Sequence, residues 1–119
     1  MNDLTTRLTE AFPAHFLTVD HEDLELIEAK IPLGVSYEQL FVELYGQSKI
    51  DHEVTMKIIY WTLKIGYMTY EFIKKKDRPQ VSSHELLIEL RKDLTKEDVP
   101  VSVLEKLDVI AKSSFSYGA

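Results

Sequence analysis

Residues 52–76 read HEVTMKIIYWTLKIGYMTYEFIKKK, and this stretch decides the fold. Thirteen large apolar residues between Val54 and Ile73 fall on every face of a helix with 3.6 residues per turn. A helix that is apolar all round is buried all round. At 1.5 Å per residue, this helix spans about 38 Å. We therefore expect a long central apolar helix over residues 52–76, capped by Asp51, with the other helices packed around it.

Gly66 interrupts this apolar helix, where glycine costs about 1 kcal/mol relative to alanine. Two interpretations are open: either another backbone approaches the helix closely at this point, or the helix bends there. The close approach is favoured, because the neighbouring Ile65 and Tyr67 keep the segment apolar on both sides of the glycine.

Two segments that flank the long helix begin in the same way. Residues 35–40 read VSYEQL and residues 81–86 read VSSHEL. In each, the serine and the Gln or Glu three residues later match a capping box, which satisfies two backbone donors at a helix start. The valine before the serine and the leucine at the end match a hydrophobic staple. Both segments are predicted to begin helices at their serines, Ser36 and Ser82.

Two shorter helices precede these segments. The first starts at an Asp3 cap and ends at Pro13, because proline disfavours helical geometry in the residue before it. Residues 14–18 are predicted to be a connector. The second helix starts at either Thr18 or Asp20, followed by several acidic residues that suit the positive end of a helix dipole.

The remaining boundaries rest on single residues. Gly46 is placed for a left-handed cap at the end of the helix that begins at Ser36. The last helix is predicted to start after Asp98 or at Ser102, where Ser102 and Glu105 match a third capping box. Residues 113–119 are predicted to be a flexible tail.

Length and composition agree with an all-α fold. The 119 residues fit one domain, and four glycines and four prolines are too few for many short strands and tight turns. We predict a compact bundle of five to six helices in a single domain over residues 1–119. Cysteine is absent and the first ten residues lack the apolar core of a signal peptide, so we expect a cytoplasmic protein that does not enter membranes.

The chain also contains an internal similarity. Residues 35–44 and residues 81–90 are identical at five of ten positions, and residues 19–22 resemble residues 50–53. A true duplication would give two related helix hairpins. The alternative is that capping boxes and staples recur because every helix start uses the same chemistry. Both interpretations stay open.

Charge is distributed unevenly along the chain, whose net charge is −6. Residues 1–53 carry eleven acidic and three basic residues, whereas residues 54–119 carry nine acidic and eleven basic ones. Nucleic acid is therefore an unexpected partner, because binding it requires phosphate neutralisation by Lys and Arg. The candidate contact is one basic run: Lys74, Lys75, Lys76 and Arg78.

This basic run supports an alternative function, a replication-accessory module linked to nucleic acid. Residues 23–28, a helix break and the apolar helix that Ser36 opens are loosely similar to the start of the helical module of DnaD/DnaB-type replication-initiation proteins. The Tyr-x-x-x-Ile-x-x-x-Trp motif of that family is absent, because Thr69 and Asp77 stand where its Tyr and Trp would be. The chain is therefore not assigned to that family.

The sequence offers few residue patterns for catalysis or cofactor binding. His21 and Glu25 share a helix face, but His52 has only Met56 at the matching distance, so the sequence contains no two-histidine metal motif. Its glycines are isolated, and the serines are better explained as caps than as nucleophiles. We expect no metal and no cofactor, and an enzyme with an unrecognised site is the least favoured function.

The favoured interpretation is a small non-catalytic protein that acts through protein–protein contacts. Aromatic residues and methionine are enriched at interfaces. Because a chain of this size has few helices with which to enclose the long apolar helix, we expect a homodimer or other homo-oligomer, in addition to a protein partner. The candidate interaction residues lie on the long helix: Tyr60, Trp61, Tyr67, Met68 and Tyr70.

Overall fold

The computed structural model describes residues 3–46, 52–76, 80–110 and 115–116. The predicted all-α class is confirmed. In these ranges the chain forms seven α-helices: α1 (Asp3–Ala11), α2 (Pro13–Phe16), α3 (His21–Lys30), α4 (Tyr37–Tyr45), α5 (Glu53–Lys76), α6 (Ser83–Leu94) and α7 (Val101–Ile110). A 3₁₀ turn, Ile31–Leu33, follows α3. Two short strands, β1 (Gln80–Val81) and β2 (Phe115–Ser116), pair antiparallel, so part of the predicted tail returns to the bundle.

The number of helices differs from the predicted five to six because α2, at residues 13–16, takes up the first part of the predicted connector over residues 14–18. Proline suits the first position of a helix, since its missing N–H would have no partner there. Pro13 occupies this position in α2, and Phe16 is buried at its end. Phe12 is non-helical, with φ −127° and ψ 53°, so α1 does end before the proline as predicted.

The two predicted capping serines both precede helices. The Ser36 hydroxyl accepts a hydrogen bond from the Gln39 backbone at 3.3 Å, and the Ser36 backbone donates to Gln39 Oε1 at 3.0 Å, which completes the capping box. The Ser82 hydroxyl accepts from the Glu85 backbone at 3.2 Å. The second of the predicted helices corresponds to α3. Of its two predicted start residues, Thr18 and Asp20, it is Asp20 that immediately precedes the helix.

Two boundary predictions were wrong. Gly46 lies in the right-handed region, with φ −63° and ψ −21°, and the left-handed glycine is Gly34, with φ 80°. Ser102 is not a cap, because α7 starts one residue earlier and the Pro100 carbonyl accepts its first backbone hydrogen bonds. The predicted cap of the long helix, Asp51, lies outside the described residues.

The long apolar segment forms α5, a helix of 24 residues that spans about 36 Å. It lies against α1, α2, α3, α4, α6 and α7. Nine of its thirteen large apolar residues are buried, whereas Val54 is exposed and three residues near its C-terminal half are half-buried. One chain therefore covers most of α5 by itself.

Gly66 of α5 packs directly against Thr5 of α1. A Cβ atom placed on Gly66 would overlap the Thr5 hydroxyl and would lie 2.8 Å from Thr5 Cβ. Thr5 is itself buried, so α1 has no room to move outward without opening the core. Gly66 is therefore closely packed, as favoured from the sequence, and the group that approaches it is the Thr5 side chain of α1.

The helices pack into a compact body. Its radius of gyration is 14.0 Å, close to the roughly 13.5 Å expected for a compact domain of this length. Among the residues that the structure describes, no helix has the combination of length and apolar character that crossing a bilayer requires.

Candidate interaction groove

One face of α5 borders a groove, which we call the α5 groove. Residues at helical spacings of three or four share this face and line the groove: Lys57, Trp61, Lys64, Met68, Glu71 and Lys75. The groove consists of a first cavity of about 550 Å³ beside α4, a middle cavity of about 290 Å³, and a third cavity of about 530 Å³ beside α6.

The three cavities form one continuous surface. The first and middle cavities share Trp61, Lys64 and Glu97. The middle and third cavities share Met68 and Asp93. The groove therefore follows α5 for about five helical turns, with α4 beside its first part and α6 beside its last.

Aromatic rings of α4 form one wall of the first cavity, which Tyr37 and Phe41 line. Their ring centroids lie 5.7 Å apart, and Tyr45 continues the row beyond the cavity, with its ring centroid 4.8 Å from that of Phe41. The Tyr37 ring also lies 5.6 Å from Tyr60 on α5, which meets Trp61 edge-on at 5.2 Å. This continuous row of rings joins α4 to α5 and gives the cavity an apolar side.

The charged side of the first cavity is centred on Lys57. Its ammonium donates a hydrogen bond to Asp98 Oδ2 at 2.9 Å and lies 3.7 Å from a Glu53 carboxylate oxygen. The hydrogen bond to Asp98 raises the pKa of Lys57 above its ordinary value. Burial, aided by the carboxylates of Glu53, Glu38 and Asp98, raises the pKa of Tyr37 as well. Both groups therefore keep their protons at neutral pH.

Lys64 occupies the junction between the first and middle cavities. Its ammonium donates to the Tyr60 hydroxyl at 3.2 Å and lies 5.5 Å and 5.8 Å from the ring centroids of Tyr60 and Trp61. In the described part of the chain, Lys64 makes no ion pair with a carboxylate. The groove thus holds a half-buried cation, on aromatic faces, at its midpoint.

The third cavity has an apolar floor and a charged border. Met68, Phe72 and Leu90 supply apolar lining, and Tyr67 lies beside them. A hydrogen bond with the Glu71 carboxylate raises the pKa of Tyr67. An occupant of this cavity would meet apolar side chains at the bottom and ionised groups at the edges.

Carboxylates define one edge of the groove, which we call the acidic rim: Glu89, Asp93 and Glu97. Glu89 and Asp93 lie one turn apart on α6, and Glu97 follows in the connection to α7. None of the three makes an ion pair within the described ranges. The opposite side carries the lysines of α5, with Glu71 among them.

The five candidate interaction residues differ in exposure. Tyr60 and Trp61 are only 2% and 5% exposed, so they contribute mainly to the core and show little surface to a partner. Tyr67, Met68 and Tyr70 are half-buried. Tyr67 and Met68 line the third cavity, and Tyr70 stacks on Tyr67 with centroids 6.4 Å apart.

The basic run is only partly described. Lys74 and Lys75 are exposed at the end of α5, and the Lys74 ammonium lies 5.8 Å from the Tyr70 ring centroid. Both lysines line the third cavity opposite the acidic rim. The Lys76 side chain and Arg78 lie outside what the structure describes.

Sequence reasoning missed the α4 wall and the acidic rim. The spacing of Tyr37 and Phe41 was visible in the sequence, but it equally suits a buried stripe. The rim residues are spaced four apart in the sequence, but α6 ends at Leu94, so Glu97 lies beyond the helix and the spacing alone does not place the three beside α5. Only the relative placement of α4, α5 and α6 brings these residues to one groove.

His21 and His15 each make a polar contact with one other side chain. His21 lies 2.9 Å from Glu25, and both side chains are well exposed. His15 Nδ1 lies 3.2 Å from the Thr55 hydroxyl, across the α2–α5 contact. Across the described ranges, no cluster of three or more His, Cys, Asp or Glu side chains is arranged to hold a metal ion.

Comparisons of the chain with protein-family models, with curated proteins and with solved structures find no match.

Proposed function

We propose that this chain is a small, non-catalytic, cytoplasmic interaction protein, built as a helical bundle around α5, whose α5 groove binds a helical segment of a protein partner. The observation that carries the proposal is the continuity of the groove along five turns of one helix. The apolar floor and charged edges provide both parts of a protein-binding surface, an apolar centre and a polar border.

The dimensions of the groove suit an elongated occupant. From Lys57 to Lys75 the α5 backbone advances about 27 Å, which is the length of a helix of about 18 residues. Small-molecule sites usually enclose a compact ligand in one cavity. Here the space is divided among three connected cavities. A partner helix with apolar residues at spacings of three and four therefore matches the groove better than a compact small molecule does.

The residues at the bottom of the groove supply adaptable apolar contacts. Met68 is half-buried, and methionine fits irregular surfaces because its side chain is flexible and polarizable. Phe41 and Tyr67 add partly exposed aromatic surface at the two ends. Buried aromatic anchors contribute most of the energy at many interfaces, so we assign Phe41, Tyr67 and Met68 as the main contacts.

A homo-oligomer through α5 is a competing form of the same proposal. The sequence favours an oligomer because one chain has few helices with which to enclose α5. In the structure nine of the thirteen apolar residues are buried inside the monomer, so a second copy could cover only the half-buried Tyr67, Met68 and Tyr70 and the exposed Val54. We therefore place the partner helix first.

Affinity purification from the native cell with three forms of the chain tests the proposal. Met68→Glu puts a charge on the floor of the groove, whereas Val109→Glu changes an exposed apolar residue on α7, outside the groove. The proposal expects a protein that is recovered with the wild-type chain and with Val109→Glu but is lost with Met68→Glu. Recovery of the same proteins by all three forms would show that the groove is not the binding surface.

A further inference from the structure

The acidic rim indicates which charges a partner of the groove carries. We infer that the α5 groove takes an amphipathic helix of another protein, with basic residues along the edge that faces Glu89, Asp93 and Glu97. The opposite edge of that helix carries acidic residues, which face Lys64, Lys74 and Lys75. The inference rests on the proposed function and adds the charge pattern that the partner helix carries.

The rim places like charges where they repel each other. Glu89 and Asp93 are four residues apart on α6, and like charges at this spacing destabilise a helix. Neither makes an ion pair in the described part of the chain, although exposed Lys92 lies beside Asp93 in sequence. The arrangement therefore brings no visible benefit to the folded chain alone.

Asp93 also opposes the dipole of its own helix. It lies in the last turn of α6, where the partial charge of the helix end is negative and lysine or arginine is favoured. Arg91 and Lys92 in the same turn follow that preference, and Asp93 does not. Residues that reduce stability in this way are common where a surface serves binding, and a basic partner would relieve the repulsion.

The groove separates its charges across its width. In the middle and third cavities, the rim side holds carboxylates with one lysine, Lys96, whereas the α5 side holds Lys64, Lys74 and Lys75 with one carboxylate, Glu71. A helix between these sides meets opposite charges on its two edges. Complementary charges at the border of an interface fix orientation and exclude wrong partners more than they add affinity.

The shape of the groove argues against a second copy as the occupant. A twofold dimer pairs the same surface of both chains, and two concave grooves would leave a void between them. Pairing the groove with a convex helix of another copy uses two different surfaces, and such contacts form open chains unless the rotation closes a ring. A separate helix fills the groove without either consequence.

A displayed peptide library tests the inference directly. The library consists of helical peptides of about 18 residues, with leucine fixed along one stripe and with Lys, Glu or Ser allowed on the two flanking edges. The wild-type chain, the rim reversal Glu89→Lys/Asp93→Lys/Glu97→Lys and the floor variant Met68→Glu are each used to select binders. Circular dichroism confirms that each variant keeps its helices.

The wild-type chain should enrich peptides with Lys on one edge and Glu on the other by about tenfold over the reverse pattern or uniform edges. The rim reversal should switch the enriched Lys edge to Glu, and Met68→Glu should enrich none. Two results would overturn the inference: binders whose edges show no charge preference, or binders whose charge preference stays the same when the rim is reversed. Either result would still be consistent with a groove that binds helices.

Two further outcomes concern the proposed function itself. If Met68→Glu selects every peptide that the wild-type chain selects, the peptides do not bind in the groove. Both the inference and the proposed helix-binding groove are then wrong. If light scattering shows a dimer that Met68→Glu dissociates, the occupant is a second copy and the inference is again overturned.

Discussion

The ion pair between Lys57 and Asp98 joins α5 to the connection between α6 and α7. At the scale of single residues, substitutions of its acidic partners test what raises the pKa of Lys57. Because Asp98 raises the pKa of Lys57, Asp98→Asn should lower that pKa toward the ordinary value of 10.5. Glu53→Gln removes the more distant carboxylate and should lower it less. NMR titration of the Lys57 side chain measures the pKa in both variants. Equal decreases in the pKa would contradict the conclusion that Asp98 is the main cause of its elevation.

The same contact has a defined dependence on pH. A pKa raised in the folded state stabilises the fold below the unfolded pKa, and this stabilisation is lost as the pH rises through the raised value. The exposed position of Asp98 limits the effect of Asp98→Asn on the free energy of unfolding to about 0.2–1 kcal/mol at neutral pH. The difference between wild type and variant should vanish in strongly alkaline solution.

The capping serines provide a second test at this scale. Ser36→Ala and Ser82→Ala should each lower the free energy of unfolding by about 0.5–2 kcal/mol, because each removes an acceptor from a backbone N–H. Ser102→Ala is the matched control, since this exposed serine lies inside α7 and should lose no stability. Urea denaturation compares the three, and a cost for Ser102→Ala equal to the others would contradict the structure.

These residues also show what local sequence can and cannot predict. The helix caps at Ser36 and Ser82 were predictable because the backbone N–H that each serine accepts from lies three residues away. Ser102 matched the same pattern, but Pro100 upstream starts the helix earlier. Glycine permits the left-handed conformation without requiring it, so the conformation of Gly46 depends on the path of the chain and not on its own chemistry.

At the scale of helices, the contact between α1 and α5 depends on the absence of a side chain at position 66. Gly66→Ala improves helix propensity by about 1 kcal/mol, but the added methyl group overlaps Thr5, and such overpacking costs about 1–3 kcal/mol. We expect a net loss of stability in thermal denaturation. Thr5→Ala combined with Gly66→Ala should recover part of it, because the hydroxyl is removed while the Cβ contact stays.

A gain of stability in Gly66→Ala alone would mean that α1 moves aside without cost. The contact itself was predicted from one glycine in an apolar helix, although the sequence did not identify α1 as the neighbour. The length of α5 was predictable because its apolar residues cover every face. In contrast, α2 is a helix of four residues, too short to produce a periodic pattern.

At the scale of the whole molecule, the acidic rim implies that stability and binding oppose each other. Asp93→Lys replaces an unfavourable charge at the end of α6 and converts a repulsive spacing with Glu89 into an attractive one. We expect the free energy of unfolding to rise by about 1 kcal/mol in urea denaturation. The same change should weaken binding of the partner helix, and a variant that binds more tightly would contradict the role of the rim.

The charge of the whole chain also gives a prediction about nucleic acid. The net charge is −6, and the exposed Lys74 and Lys75 face carboxylates across the third cavity, so we expect no appreciable binding to double-stranded DNA. A gel-shift assay at about 100 mM salt with about 10 μM protein covers the range of typical non-specific binders. A shifted band that disappears when Lys74, Lys75 and Lys76 become Ala would favour the replication-accessory function instead.

Trp61 is the only tryptophan in the chain, and it lies where the first and middle cavities meet. Its indole is edge-on to Tyr60 and has the Lys64 ammonium 5.8 Å from its centroid. Indole emission responds to local polarity and to nearby charge. Trp61 is only 5% exposed, so a helix seated in the groove acts on it mainly through the new charges that it places near Lys64, and we expect the emission wavelength to shift on binding. The chain thus carries its own optical reporter, and a titration of the unlabelled protein follows occupancy in real time.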